Sequence, residues 1–334
     1  MKRMKKAKQY EFAIPVFFMS LLFLVTVVSL SGKPFAAPAD FPKKEITIIE
    51  SLGAGGGRDI LARGVGRTMS RHLGVPMVVM NIVGAGGARG LISLFHSAPD
   101  GYTIGVGTTA DIINQILEKQ DYDCGRFIYI GNVQHGPPTF FVRSDSPFRS
   151  VKDFKSFGKV VRFGASSFAS TNAVAAMLLS NREGFPLVIV GGYKGAADVM
   201  LGLIRGEFEF GSCAPSVALQ YLKTGQVRPI LTVDNKRTHD FPDTPSLVEI
   251  GQPDLAVFAT SYWFMAPPGV SRDRIQMLEN ALAQTVKDPE FLKWAKEARV
   301  ELKPLNGEET TKTVLRLFEL LERYKGDIEK HTKY

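Results

Sequence analysis

The chain predicts an α/β protein, and three observations carry that prediction. Short apolar runs alternate with helix-like patterns along most of the sequence. Two glycine-rich stretches, Ser51–Asp59 and Asn81–Gly90, each follow such a run and precede a helical pattern. Beyond about residue 140 the alternation restarts, and the 295 residues that follow position 39 are too many for one ordinary domain. Two lobes are therefore expected.

Residues 1–39 read as an export signal rather than as part of the fold. Lys2, Arg3, Lys5, Lys6 and Lys8 form a basic start, Phe12–Leu30 is almost wholly apolar, and Ala37-Pro38-Ala39 offers a small-x-small cleavage site before Asp40. The apolar run of nineteen residues is also long enough to span a bilayer, so an uncleaved anchor is the alternative. This segment holds six Lys or Arg and one Glu, which leaves 35 basic and 32 acidic residues, a net charge of +3, in the remainder. No basic stripe with interleaved aromatics remains there, which argues against nucleic acid.

The elements follow in order. Glu45–Glu50 reads as a strand, Asp59–Leu73 as a helix ended by Gly74, Pro76–Asn81 as a strand, Gly87–His96 as a helix and Thr103–Gly107 as a strand. After the restart come strand Val161–Gly164, helix Thr171–Leu179, strand Leu187–Val190, helix Ala196–Ile204, strand Glu207–Gly211, helix Val217–Leu222 and strand Arg228–Val233. The apolar run Val257–Met265 leads to three helical stretches, Ser271–Val286, Pro289–Ala298 and Glu308–Lys325. The last carries an apolar stripe of Val314, Leu315, Leu317, Phe318 and Leu321.

Side-chain-free residues between a strand and a helix let a ligand reach bare N–H groups, and the positive end of the helix favours an anion. Nucleotide motifs fail here. Counting G-x-G-x-x-G from Gly53 or Gly84 puts Arg58 or Arg89 at the last glycine, and Arg58-Asp59 stands where a P-loop needs Lys-Ser/Thr. His72, His96, His135, His239 and His331 show no metal-ligand spacing, and Cys124 and Cys213 read as two unpaired small apolar residues, with a disulfide in an oxidising compartment as the alternative. No cofactor is expected. No G-x-S-x-G elbow or recognisable Cys/His pair signals catalysis.

A family resemblance becomes specific at the same residues. Gly55-Gly56-Gly57-Arg58-Asp59-Ile60-Leu61-Ala62-Arg63 resembles the G-G-G-T-D-I-x-A-R of substrate-binding proteins of the tripartite tricarboxylate transporter family, the Bug receptors. Asn81–Gly90 matches their N-x-x-G-A-G-G-x-x-G, Ala98–Thr103 resembles A-P-D-G-Y-T, and Gly192–Ala196 resembles P-Y-K-G-G. The resemblance implies a two-lobe type II periplasmic binding protein fold. Residues 40–140 with 260–334 would form a discontinuous first lobe and 141–259 the second. It implies a periplasmic, monomeric protein that takes a small organic carboxylate and hands it to integral membrane transporter subunits. Two other readings stay open, a sensor feeding a membrane kinase and an α/β enzyme acting on an anionic substrate.

In open α/β sheets ligands sit beyond the carboxyl ends of the strands. That rule nominates Leu52, Gly53, Ala54, Gly57, Arg58, Asp59, Gly84, Ala85, Thr108 and Thr109 from the first lobe. From the second it nominates Ser166, Ser167, Thr171, Tyr193, Lys194, Gly195 and Cys213. Ser170 and Thr171 could equally cap their helix, and Asp59 could tie its own loop. The family usually opens the first loop with Pro and an aromatic residue, where this chain has Ser51-Leu52, and it often has Thr where Arg58 stands. The guanidinium of Arg58 is expected to hold a ligand carboxylate bidentately, or else to be solvated or paired with Asp59.

Overall fold

The computed structural model describes residues 41–332; the export-signal and cleavage-site reading lies outside them. The elements run β1 (Ile46–Glu50), α1 (Gly57–Leu73), β2 (Met77–Asn81), α2 (Ala88–Phe95), β3 (Thr103–Thr108), α3 (Thr109–Leu117), β4 (Ile128–Gly136) and β5 (Thr139–Arg143). They continue β6 (Val161–Gly164), α4 (Thr171–Glu183), β7 (Leu187–Val190), α5 (Ala196–Arg205), β8 (Phe210–Cys213), α6 (Pro215–Lys223) and β9 (Val227–Thr232). The chain closes with β10 (Thr260–Ala266), α7 (Arg272–Thr285), α8 (Pro289–Glu297), β11 (Leu302–Asn306) and α9 (Gly307–Thr332).

The strands form two sheets flanked by helices, as the alternating pattern requires. The first has the order β11-β4-β10-β3-β1-β2 and the second β7-β6-β8-β5-β9. β1 lies parallel between β2 and β3, and its Ile46, Ile48 and Ile49 are buried, the signature of a strand covered on both faces. Helix α1 buries Leu61, Ala62, Val65 and Met69 on one face and stops at Gly74, whose left-handed backbone (φ 72°) lets its N–H return to the Ser70 carbonyl at 2.9 Å. The chain passes from the first sheet to the second between Gly136 and Thr139 and returns between Thr232 and Thr260.

One strand sits three residues later than its composition suggests. Glu207–Gly211 was expected extended, but Gly206 ends α5 in the left-handed region and the Glu207 N–H bonds back to Gly202. Extended pairing therefore starts at Phe210.

The apolar core is continuous between the layers. Phe140, Phe163 and Phe210 of the second sheet belong to the same buried cluster as Ile112, Ile113 and Met265 beside the first. Helix α9 packs on β4 and α3, and also on α4. Its buried stripe is Val314, Leu317, Leu321 and Ile328, whereas Leu315, expected on it, is 48% exposed. Arg182 of α4 fastens this junction, bonding Asp254 at 2.6 and 2.5 Å and the Tyr324 hydroxyl of α9 at 2.5 Å.

Candidate ligand-binding site

The strand ends that should carry ligand are brought together by topology. Gly136, the last residue of β4, pairs with Thr260, and Tyr262 pairs with Thr108 at the end of β3. In the second sheet Thr139 pairs with both Cys213 and Thr232. Both crossings between the sheets thus leave from the carboxyl edges of the parallel strands, the edges that also carry the glycine-rich loops.

The loop after β1 rests on a buried ion cluster. Glu50, fully buried at the end of β1, accepts from Arg58 Nε at 2.8 Å and from the Leu52 N–H at 2.9 Å. Arg58 Nη1 lies 3.4 Å from Asp111 Oδ2, and Nη2 donates to the Ser51 hydroxyl. Asp111 also accepts from the Thr108 N–H at 2.8 Å, forming the capping box that starts α3. Burial pushes both carboxyls upward while Arg58 pulls them down, and for each the net direction is up. Two carboxyls therefore share one guanidinium, and Glu50 Oε2 has no hydrogen-bond partner. The Tyr262 phenol, also raised by burial, stands beside this cluster and faces Gly57.

This arrangement corrects the expectation for Arg58. Its guanidinium is 4% exposed and spent on Glu50, Asp111 and Ser51, so it neither meets solvent nor pairs with Asp59. Asp59 points elsewhere and bonds Arg63, Asn81 and the Gly55 N–H, each at 2.9–3.0 Å. Burial disfavours its charge, but these bonds win and hold its carboxyl at about 2. The departure of Ser51 from proline and that of Arg58 from threonine are one feature, because the two side chains bond each other.

The other nominated residues divide into three groups. Leu52, Gly53, Ala54, Gly57, Ala85, Ser166, Ser167 and Lys194 are exposed on the loops, with Gly84 and Gly195 half-exposed. Thr108, Thr109 and Thr171 are buried at helix starts, and Cys213 is buried at the end of β8 rather than lining the edge. Tyr193 turns away, its hydroxyl donating to Glu207 and its ring packing edge-on against Phe208. Ser170, not Thr171, caps α4 through the Ala173 N–H. Cys124 and Cys213 are unbonded and buried.

Two features of this edge suit an anionic ligand. Helices α1, α2, α5 and α6 begin at Gly56, Gly87, Gly195 and Ala214 without any side-chain cap, leaving first-turn N–H groups available to an anion. The hydroxyls of Thr109, Thr139, Ser212 and Thr232 and the carbonyl oxygen of Asn172 are buried there without hydrogen-bond partners among the described residues. Native interiors pair nearly all such atoms. A cavity of about 470 Å³ lies beside the crossings, lined in part by Gln134, Gly136, Ala214 and Pro215 and by His239, Asp240 and Glu301; none of the nominated loop residues lines it.

Sequence reasoning missed Glu50, Asp111, Tyr262 and Phe168. A carboxylate closing the apolar run Ile46–Ile49, eight residues before an arginine, was a readable signal for Glu50. Phe168 is an exposed aromatic beside Gly191, and nothing in its local pattern singled it out.

Residues 61–329 match the family described as tripartite tricarboxylate transporter family receptor. The chain belongs to that family. It is 28% identical over 284 residues to a UPF0065 protein from the TAR-I ttuE-ttuC' intergenic region of Agrobacterium vitis, covering 81% of this chain and 80% of that one. A TctC solute-binding protein from Polaromonas superimposes with a TM-score of 0.73 at 24% identity, over 87% of this chain and 99% of that one. Two Rhodopseudomonas palustris proteins share the fold. MatC with bound malate has a TM-score of 0.69 at 20% identity, covering 86% and 100% of the two chains. A second protein with adipate has a TM-score of 0.72 at 22% identity, covering 87% and 99%. The type II periplasmic binding protein architecture follows. Among the described residues no helix is long and apolar enough to cross a membrane.

Proposed function

We propose that this family member is an exported receptor without catalytic activity. It captures a small organic carboxylate between a first lobe, expected as residues 40–140 with 260–334, and a second lobe, expected as 141–259 but starting at Thr139 because β5 belongs to the second sheet, and delivers it to integral membrane transporter subunits. The carrying observation is the run of uncapped helix starts at the joined sheet edges, backed by buried hydroxyls that lack partners. N–H groups and hydroxyls hold a carboxylate without a counter-charge, and both arginines beside the first loop, Arg58 and Arg63, are already spent on Glu50, Asp111 and Asp59. Selection would then rest on backbone geometry, on Tyr262 and on the exposed Ser166, Ser167 and Phe168. The malate and adipate held by relatives of this fold make dicarboxylates the first compounds to try.

Native mass spectrometry of protein purified from its source, followed by calorimetry across malate, adipate and longer dicarboxylates, tests the reading. A co-purified carboxylate, saturable binding and no turnover are expected. Binding of none of these acids, or their chemical conversion, would refute it.

A further inference from the structure

A second surface, away from the ligand edge, has the chemistry of a docking groove. Helices α1 and α8 lie close together because position 64 is glycine: a methyl there would overlap the Trp294 ring. Between them runs a groove of about 340 Å³, lined by Ile60, Arg63, Arg67, Arg71, Glu290 and Trp294. Its apolar part is Ile60, 42% exposed, and the half-buried Trp294.

The wall is a row of guanidinium groups one helical turn apart, and such like charges repel unless neutralised. Two of the three are neutralised from within. Arg63 bonds Asp59 and Asn81, and Arg71 bonds Asp288 at 3.0 Å and Glu290. Arg67, exposed between them, has no hydrogen bond or ion pair among the described residues. The partners Asp59 and Asp288 are tucked behind their arginines and Glu290 is exposed at one end, so Arg67 in the middle of the row is the charge left uncompensated among the described residues. From residue 60 to residue 71 the groove runs about 16 Å along α1, the length of roughly five residues of extended chain. That is too long for a small acid and suits a peptide.

We infer that this groove receives an acidic segment of a membrane-embedded partner protein, with a carboxylate on Arg67 and an apolar side chain on Trp294 and Ile60. Exposed arginine beside tryptophan is the composition that anchors protein interfaces. The kind of partner rests on the delivery role proposed above; the surface itself does not. The groove also touches the ligand loop, since Arg63 grips Asp59 and Asp59 in turn holds the Gly55 N–H.

The test is photo-crosslinking in cells of the source, with the full chain carrying benzoylphenylalanine at Ile60, which lines the groove, and, as a control, at the exposed Val188 of β7. An adduct with an integral membrane polypeptide, mapped to an Asp/Glu-containing segment, is expected from position 60 and not from 188. It should fall roughly tenfold in Arg67→Glu and recover in Arg67→Lys, because rim charges govern encounter. An adduct with lipid alone, one unchanged by Arg67→Glu, or none at all would overturn the proposal. Carboxylate binding by the purified Arg67→Glu protein should equal that of the parent. If the parent binds no carboxylate yet forms the membrane adduct, the receptor reading fails and the groove stands.

Discussion

The loops at the two sheet edges are built by opposite means. Beneath the first sheet's glycine loop lie five ionisable side chains, Glu50, Arg58, Asp59, Arg63 and Asp111, joined by direct bonds. The second sheet's loops carry no such cluster among the described residues: they are held by a serine cap, by backbone bonds such as Gly192 N–H to the Ser166 carbonyl, by the packing of Phe168 near Gly191, and by single carboxylates, Asp198 accepting from the Lys194 N–H at 3.2 Å and Glu207 from the Tyr193 hydroxyl. The first edge is cross-linked by charge, and both edges keep uncommitted groups among the described residues, the Thr109 hydroxyl on the first and the Ser212 and Thr232 hydroxyls on the second.

Breaking the charged side should have the largest effect. Arg58→Ala leaves Glu50 and Asp111 buried without their cation, and should destabilise the protein by about 3–5 kcal/mol in urea unfolding. A change under about 1 kcal/mol would mean that the carboxyls are already neutral and that the cluster is not what fixes the loop.

Glycines sharpen the comparison at the second edge. An alanine methyl at Gly164 would overlap the Phe208 ring, whereas the same methyl at Gly195 meets nothing within 4 Å, on an extended backbone (φ 173°) that any residue adopts. Gly164→Ala should therefore lose about 1–3 kcal/mol of stability through overpacking. Gly195→Ala should leave stability unchanged and weaken carboxylate binding instead, because its side-chain-free approach serves the ligand. Equal melting losses in the two variants would rule out that distinction.

The smallest expected effect is a pair of opposite pH dependences within the charged edge. The Asp59 carboxyl lies at about 2 in the fold and near 4 in an unfolded chain. Its stabilisation is thus present above about pH 4 and lost as pH falls towards 2. Glu50 and Asp111, raised by burial, run the other way: they favour the fold in acid, and that contribution fades as pH rises past about 4. Asp59→Asn should flatten the acid-side loss, and Glu50→Gln should remove the decline above it, in urea titrations between about pH 2 and pH 6. Parallel curves for parent and both variants would show that neither group is coupled to folding.

Much of the fold was legible because its elements obey local rules. The strands Val161–Gly164 and Leu187–Val190 and the stop of α1 at Gly74 follow from β-branched runs and a left-handed glycine. β4, β5 and β11 escaped notice. Ile128–Gly136 mixes Tyr, Asn, Gln and His into its apolar positions, and Leu302–Asn306 is an edge strand with a proline and few buried residues. Helix α3 hid behind Thr108 and Thr109, whose hydroxyls suggested ligand contact before helix capping. The site was half legible. Glycines announce a loop wherever they fall in sequence, but the partners of Arg58 lie 8 and 53 residues away, and only folding brings Asp111 beneath the loop.

The place of β10 sets the order in which the molecule can assemble. β3 and β4 are never neighbours, because Thr260–Ala266 lies between them, and Leu302–Asn306 then covers the outer edge of β4. A nascent chain that has reached residue 250 holds only fragments of its first layer, and the helix that packs on both layers, Gly307–Thr332, comes later still. Such distant pairings make folding slow and leave it until synthesis is nearly complete. Until then β3 and β4 have no strand between them, and the first layer of an emerging chain stays open along that line while the second can already close.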